Sequence, residues 1–183
     1  MSKTLPRQAG SSLIEVLVAV LILSFGMLAL GGMMAYAVQM PKLSAYRATA
    51  MILAAGHIER MRANVAGFTS DGYKEDPPTY NANLPNVTPC TYPNCSASQL
   101  ATLDKNETNQ ALRRELSQGG MRLLCNGACT TLEGDLWVMW QEPTTFGSFD
   151  TTNSDECPDP SATPTFPSYG AVRPRCIHVK FKL

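Results

Sequence analysis

A glutamate, Glu15, stands at the mouth of an apolar run that continues to Val38, and no residue from Val16 through Val38 carries a formal charge. An α-helix rises about 1.5 Å per residue, so the 23 residues from Val16 to Val38 reach about 35 Å, enough for a hydrocarbon core of about 30 Å. As the core helix of a soluble domain this segment would be unusually apolar on every face. As a secretory signal it has a cationic start, Lys3 and Arg7, and an Ala35-Tyr36-Ala37 triplet that resembles a cleavage site. Two features oppose that reading. The apolar stretch exceeds the roughly 7 to 15 residues of a signal core, and Glu15 sits where such a core would simply continue. A helix that stays in the membrane fits better.

Beyond Val38 the pattern changes period rather than ending. Pro41 is a candidate bend, and Gly31-Gly32 is a weak point in helix propensity. From Lys42, the residues Leu43, Tyr46, Ala50, Leu53, Ala54, Ile58, Met61 and Val65 recur mostly at steps of three and four, which predicts an amphipathic helix ending near Gly67. Glu59 and Arg62 are spaced to pair on one face. His57 reads as a surface or boundary residue rather than a metal ligand, because no second histidine sits at ligand spacing.

Six cysteines, Cys90, Cys95, Cys125, Cys129, Cys157 and Cys176, all lie beyond the apolar segment. In an exported head this pattern reads as disulfides; in a cytosolic one it would read as metal or redox chemistry. The C-x4-C and C-x3-C spacings do not match the paired C-x2-C of zinc ribbons. Lys42 and Arg47 match Lys3 and Arg7 across the segment, so flanking charge does not orient it. The cysteines do: head outside, N-terminus inside. Six cysteines allow about 15 pairings, and the sequential one is expected, with Cys157 to Cys176 contributing about 3 kcal/mol by loop closure.

Gly10 followed by Ser11-Ser12-Leu13-Ile14-Glu15-Val16-Leu17-Val18-Ala19 resembles the class III leader and mature N-terminus of type IV pilins and of the pseudopilins of type II secretion. The resemblance implies a cut by prepilin peptidase between Gly10 and Ser11, methylation of Ser11, and a role for Glu15 in assembly. The first mature residue is often phenylalanine in that family; here it is serine. The segment Glu59-Arg60-Met61-Arg62-Ala63-Asn64, together with Ser12 to Ala19, is most like a PilV-type minor pilin. The resemblance implies residues 1–10 as leader, 11–40 as the membrane half of the helix, 41–66 as its amphipathic half and 67–183 as a periplasmic or extracellular head. The fold class it implies is α+β: one long N-terminal helix and a small antiparallel sheet with disulfide-stapled loops. Implied partners are prepilin peptidase, other major and minor pilins, the inner membrane and the pilus assembly platform. Location moves from the inner membrane, with the head in the periplasm, to the pilus at the cell surface.

With 15 Lys plus Arg against 15 Asp plus Glu, no net field marks a nucleic-acid binder. Removing a leader that holds Lys3 and Arg7 leaves 13 against 15, a mature charge near −2. No nucleic acid is expected as a partner, and Arg173, Arg175, Lys180 and Lys182 read as a solvated strand face. Asp150, Asp155, Glu156 and Asp159 lack the glycine and terminal glutamate of an EF-hand loop. The sequons at Asn86, Asn94 and Asn106 would matter only in a eukaryotic secreted chain. No phosphate loop, G-x-S-x-G elbow or H-E-x-x-H is present, and His57 and His178 are the only histidines. No catalytic residue, metal or cofactor is expected.

Within the head, Phe68 to Ser98 reads as a loop-rich excursion pinned by Cys90 and Cys95. A short helix is predicted between Ser98 and Ser117 with Leu100, Leu103, Leu112 and Leu116 as its apolar residues and Gly119-Gly120 as its stop. Strands are predicted at Met121–Leu124 and Leu136–Trp140, with Glu133-Gly134-Asp135 as a turn before the second. On a strand, Trp137 and Trp140 point to opposite faces, so at most one is core. Ile177, Val179, Phe181 and Leu183 alternate with His178, Lys180 and Lys182, a strand with one buried and one cationic face.

Overall fold

The computed structural model describes residues 12–76, 78–80, 82–84, 86–91, 93–142, 157 and 174–183. Two compact units are present, Met1–Leu43 and Ser44–Leu183. Helix α1, Leu13–Ala63, belongs to both and runs through Gly31, Gly32 and Pro41. From Leu13 to Val38 its side chains are exposed all round, as the uncharged run requires.

In the second unit α1 acquires an inside. Ala50, Ala54, Ile58 and Met61 are buried, spaced four, four and three residues apart on one stripe. The helix stops before the Gly67 predicted from the pattern. At Asn64 the backbone leaves helical geometry (φ −131°, ψ 58°), and the side chain restarts the chain as α2, Val65–Thr69, by accepting from the Gly67 N–H at 3.2 Å. A periodicity count could not register this break, because Asn64 is itself buried and continues the three- and four-residue spacing of the stripe. The Asn64 Nδ2 donates to the Ala97 carbonyl at 2.8 Å and the Tyr73 hydroxyl at 3.2 Å.

From Ser70 to Asn94 the described residues form no helix or extended strand, as the Gly, Pro and Asn content predicts. Helix α3, Ala97–Glu115, opens on a capping box: Ser96 Oγ accepts from the Gln99 N–H, and Gln99 Oε1 accepts from the Ser96 N–H. Leu112 and Leu116 are buried, whereas Leu100 and Leu103 are only half-buried. Close approach ends the helix. A Cβ on Gly119 would lie 2.2 Å from the Leu112 carbonyl oxygen, so only glycine fits that turn.

Strands β1 (Gly120–Cys125), β2 (Glu133–Trp140) and β3 (Arg175–Lys182) form an antiparallel sheet in the order β1-β2-β3. Glu133-Gly134-Asp135 lies inside β2, pairing with Lys182, Phe181 and Lys180, and is not the turn expected from its composition. The connection comes earlier, at Asn126–Leu132, where a short 3-10 turn, Cys129–Thr131, is closed by the Cys125–Cys129 disulfide. Composition alone could not separate a Glu-Gly-Asp turn from a strand start whose acidic side chains meet cationic ones opposite.

Register sets the two faces. Met121, Val138 and Ile177 align across the sheet, as do Leu123, Leu136 and Val179. These side chains join Ala50, Ala54, Ile58 and Met61 of α1, Leu112 and Leu116, and Phe68, Tyr73 and Trp140 in one core. The opposite row is Arg122, Trp137 and His178. Trp137 and His178 stack with ring centroids 4.6 Å apart, and the Arg122 guanidinium lies 5.8 Å from the Trp137 ring centroid. Trp140 is therefore core and Trp137 is not. The free side of β1 is partly closed by Glu75, which exchanges two backbone hydrogen bonds with Leu123, and by Thr79, whose N–H donates to the Met121 carbonyl.

The disulfides join Cys90 to Cys95, Cys125 to Cys129 and Cys157 to Cys176, the sequential pairing. The last ties position 157 to the start of β3.

Candidate functional site

Two features of the described chain stand out. The first is the apolar half of α1. By length and composition it could cross a membrane, and none of its most apolar window is buried. Leu13, Leu17, Leu28 and Met34 are each at least 66% exposed, so this surface is left for lipid or for other helices. Glu15 lies in the first turn of α1. Its N–H donates to the Ser12 carbonyl at 2.9 Å. A carboxylate there faces the positive end of the helix dipole, worth about 0.3–1 kcal/mol. Gly10 and Ser11 lie outside the described residues.

The exposed stripe of α1 in the second unit is apolar as well. Ala48, Met51, Ile52, Ala55 and Gly56 are all exposed, with Met51 at 53% and Ile52 at 70%. Beyond them the outward face turns polar with the Glu59–Arg62 ion pair, the pair expected from their spacing.

The second feature is a polar seam inside the head. His57 is 1% exposed, which corrects the sequence reading of a surface or boundary residue. Its place between Ala54 and Ile58 on the buried stripe was the available signal, outweighed by the general preference of histidine for partly exposed sites. His57 Nδ1 lies 2.9 Å from Thr108 Oγ1, and that hydroxyl donates to the Asp104 carbonyl at 2.8 Å. With its own proton committed, Thr108 Oγ1 accepts, so the imidazole carries its hydrogen on Nδ1. Nε2 is buried and has no hydrogen-bond partner among the described residues. Burial foremost, then the Arg60 and Lys105 charges, push the His57 pKa down to about 3.

Around it, Arg60 Nη1 reaches both Asp104, at 3.1 Å, and Glu107. Asp104 also accepts from the Tyr73 hydroxyl. Burial, and then this donated bond, raise the Tyr73 pKa above the usual phenol value. The seam joins α1, the segment after α2, and α3. The sequence gives little sign of it, because Asp104 and Thr108 are polar residues at buried positions of α3 and so break the apolar period that marks a core face.

Other candidates resolve into structural pairs. Lys182 Nζ bonds Glu133 at 2.8 Å, Arg175 Nε lies 3.2 Å from Glu142, and His178 Nε2 lies 2.7 Å from Asp135. On the cationic face of β3, His178 and Lys182 are matched by acidic residues of β2, whereas Arg175 shares the face of Ile177, is only 14% exposed and pairs with Glu142, so it is not part of the solvated face expected from the sequence. The open depression lined by Asn126, Glu133, Asp135, Lys180 and Lys182 carries both signs of charge. Cys125 and Cys129 lie beside Asp71, but their sulfurs are bonded to each other and neither offers a thiolate. Asp150, Asp155, Glu156, Asp159 and Arg173 lie outside the described residues.

Residues 5–31 match the family model described as the prokaryotic N-terminal methylation motif. Residues 32–106 match the model described as type IV pilin Tt1218. No curated protein and no solved structure matches the chain. The two family matches adjoin and together span residues 5–106, more than half of the 183-residue chain. They fall on the whole of α1, α2 and the first half of α3, the segments whose exposed apolar helix and Asn64-capped break have just been described, and on the residues from 5 that precede α1. Both matches support a type IV pilin, and over residues 5–106 the chain is similar to that family.

Proposed function

We propose that this chain is a structural subunit of a type IV pilus, a minor pilin most like the PilV type, and not an enzyme. Prepilin peptidase cuts between Gly10 and Ser11, Ser11 is methylated, and the mature helix leaves the inner membrane to pack with other pilins at the assembly platform. The domain plan follows: leader 1–10, membrane half 11–40, amphipathic half 41–66, head 67–183. The head lies in the periplasm before assembly and at the cell surface afterwards, supporting pilus assembly, adhesion or twitching motility.

The observation that carries this reading is an α1 whose apolar surface is unburied in the chain itself, with a single acid in its first turn. Exposing that much apolar surface costs about 25 cal/mol per Å² in water. Transfer into lipid or among neighbouring helices removes the cost. Ile52 extends the same logic to the second unit. Ile52→Asp leaves the core untouched, because the side chain is 70% exposed. The variant is expected to fold, keep its disulfides and insert, yet appear in sheared pili at about a tenth of the wild-type amount or less, since an unpaired buried charge exceeds the 1.4 kcal/mol that a tenfold change requires. Quantitative immunoblotting of sheared pili against membranes measures it, and unchanged incorporation would contradict the reading.

A type II secretion pseudopilin shares this N-terminus. Deleting the gene separates the two: loss of pili or twitching supports the pilin, and loss of protein secretion with pili intact supports the pseudopilin. A periplasmic protein released by a cut after Ala37 is the remaining alternative, and its mature chain would lack Glu15 altogether.

A further inference from the structure

We infer that His57 is an acid-sensitive latch in the head, holding α1 to α3 only while its imidazole is neutral. Three observations converge. The ring sits on the buried stripe of α1 at 1% exposure, edge-on to Tyr73 with centroids 5.7 Å apart. Its one polar contact among the described residues crosses to Thr108 of α3 and fixes the proton on Nδ1. The second nitrogen, Nε2, is enclosed without a hydrogen-bond partner among the described residues, so a proton placed there meets no acceptor.

The charged neighbours offer the imidazolium no refuge. From its own helix comes Arg60 and from α3 comes Lys105, and both repel a cation. The α3 carboxylates are committed elsewhere: Asp104 to Arg60 and Tyr73, Glu107 to Arg60. From the segment after α2, Tyr73 spends its hydroxyl proton on Asp104, and Glu75 is held by Lys105 at 3.6 Å. Protonation therefore requires the ring to leave the interface, which separates α1 from α3. The sign follows from linkage: the opened state takes up a proton near pH 6.5 and the closed state does not, so the latch is fully closed above that pH and weakens as pH falls below it.

Hydrogen exchange of the α3 amides, measured on the full chain in detergent micelles and corrected for intrinsic rates, reads the opening equilibrium directly. Between pH 7 and pH 5 the wild-type protection factor is expected to fall about 25-fold more than that of His57→Gln, whose amide keeps a hydrogen-bond donor and cannot be charged. Acid effects of Asp104, Glu107, Glu75 and His178 are common to both chains and cancel in the comparison. Equal losses in the two would overturn the latch. Should His57→Gln not fold, nitrogen-15 spectra of the two histidines in the wild-type chain decide instead. A neutral, Nδ1-protonated His57 ring at pH 5 is expected, and a charged His57 ring in the folded head at that pH would overturn the proposal. Neither readout depends on assembly, so the latch can fail while the pilin reading stands, and the reverse.

Discussion

Replacing Glu15 with valine is expected to give a chain that inserts and is cut normally but enters pili at about a tenth of the wild-type amount or less. On insertion scales a carboxylate costs about 2.5–3.5 kcal/mol at mid-bilayer, and less near the interface. Valine removes that cost, so insertion should improve if anything. What valine also removes is a partner for the amine that the cut at Ser11 would create. Four residues separate Ser11 from Glu15, within reach on one helix face, and a neighbouring subunit could present its own amine to the same carboxylate. Among packed apolar helices the local dielectric is low, so such a pair is strongly favoured when made and heavily penalised when one member is missing. The pair thereby rewards one register over all others. Incorporation at the wild-type level would show that the charge is incidental and that apolar packing alone sets the register.

The second large effect lies in the head. Trp140→Ala is expected to cost about 3–5 kcal/mol, because a fully buried indole leaves a cavity that a rigid sheet cannot collapse into. The ring is 1% exposed and shares the core with Phe68, Tyr73 and the α1 stripe. Trp137→Ala, three residues away, removes a half-buried ring packed on Met139 and Cys176 together with its stack on His178, and is expected to cost less, about 1–2 kcal/mol. Thermal unfolding of the two variants, followed by near-ultraviolet circular dichroism in micelles, makes the comparison with the helical signal of α1 set aside. Equal destabilisation would mean that the register assigning the two rings to opposite faces is wrong.

Much of this was legible in the sequence because it rested on signals that act locally. An uncharged run, a period of three and four, and the alternation of Ile177, Val179 and Phe181 with His178, Lys180 and Lys182 each dictate an element without knowing the rest of the fold. The cysteines were legible for a related reason, since short sequence separations leave sequential pairing as the easy closure. The failures share an opposite cause. His57, Asp104 and Thr108 are polar residues at core positions, tolerable only because they bond one another across α1 and α3, and no local window contains that partnership. Asn64 ends one helix by capping the next, and it also bonds Ala97, a residue 33 positions away. Glu133-Gly134-Asp135 has the composition of a turn, yet Lys182 and Lys180 stand opposite its acids in the sheet. In the histidine seam and in β2 the deciding group came from a distant segment; at Asn64 a local cap is reinforced by one.

Assembly through Glu15 rests on one processing event, because the amine that Glu15 is proposed to meet exists only if the leader is removed ahead of Ser11. Mass spectrometry of the mature chain recovered from membranes or sheared pili tests it directly. The predicted result is an N-terminal peptide that begins at Ser11, with a methyl group on its amine. A chain that begins at Val38, after Ala35-Tyr36-Ala37, would discard Glu15 with the leader and contradict the account.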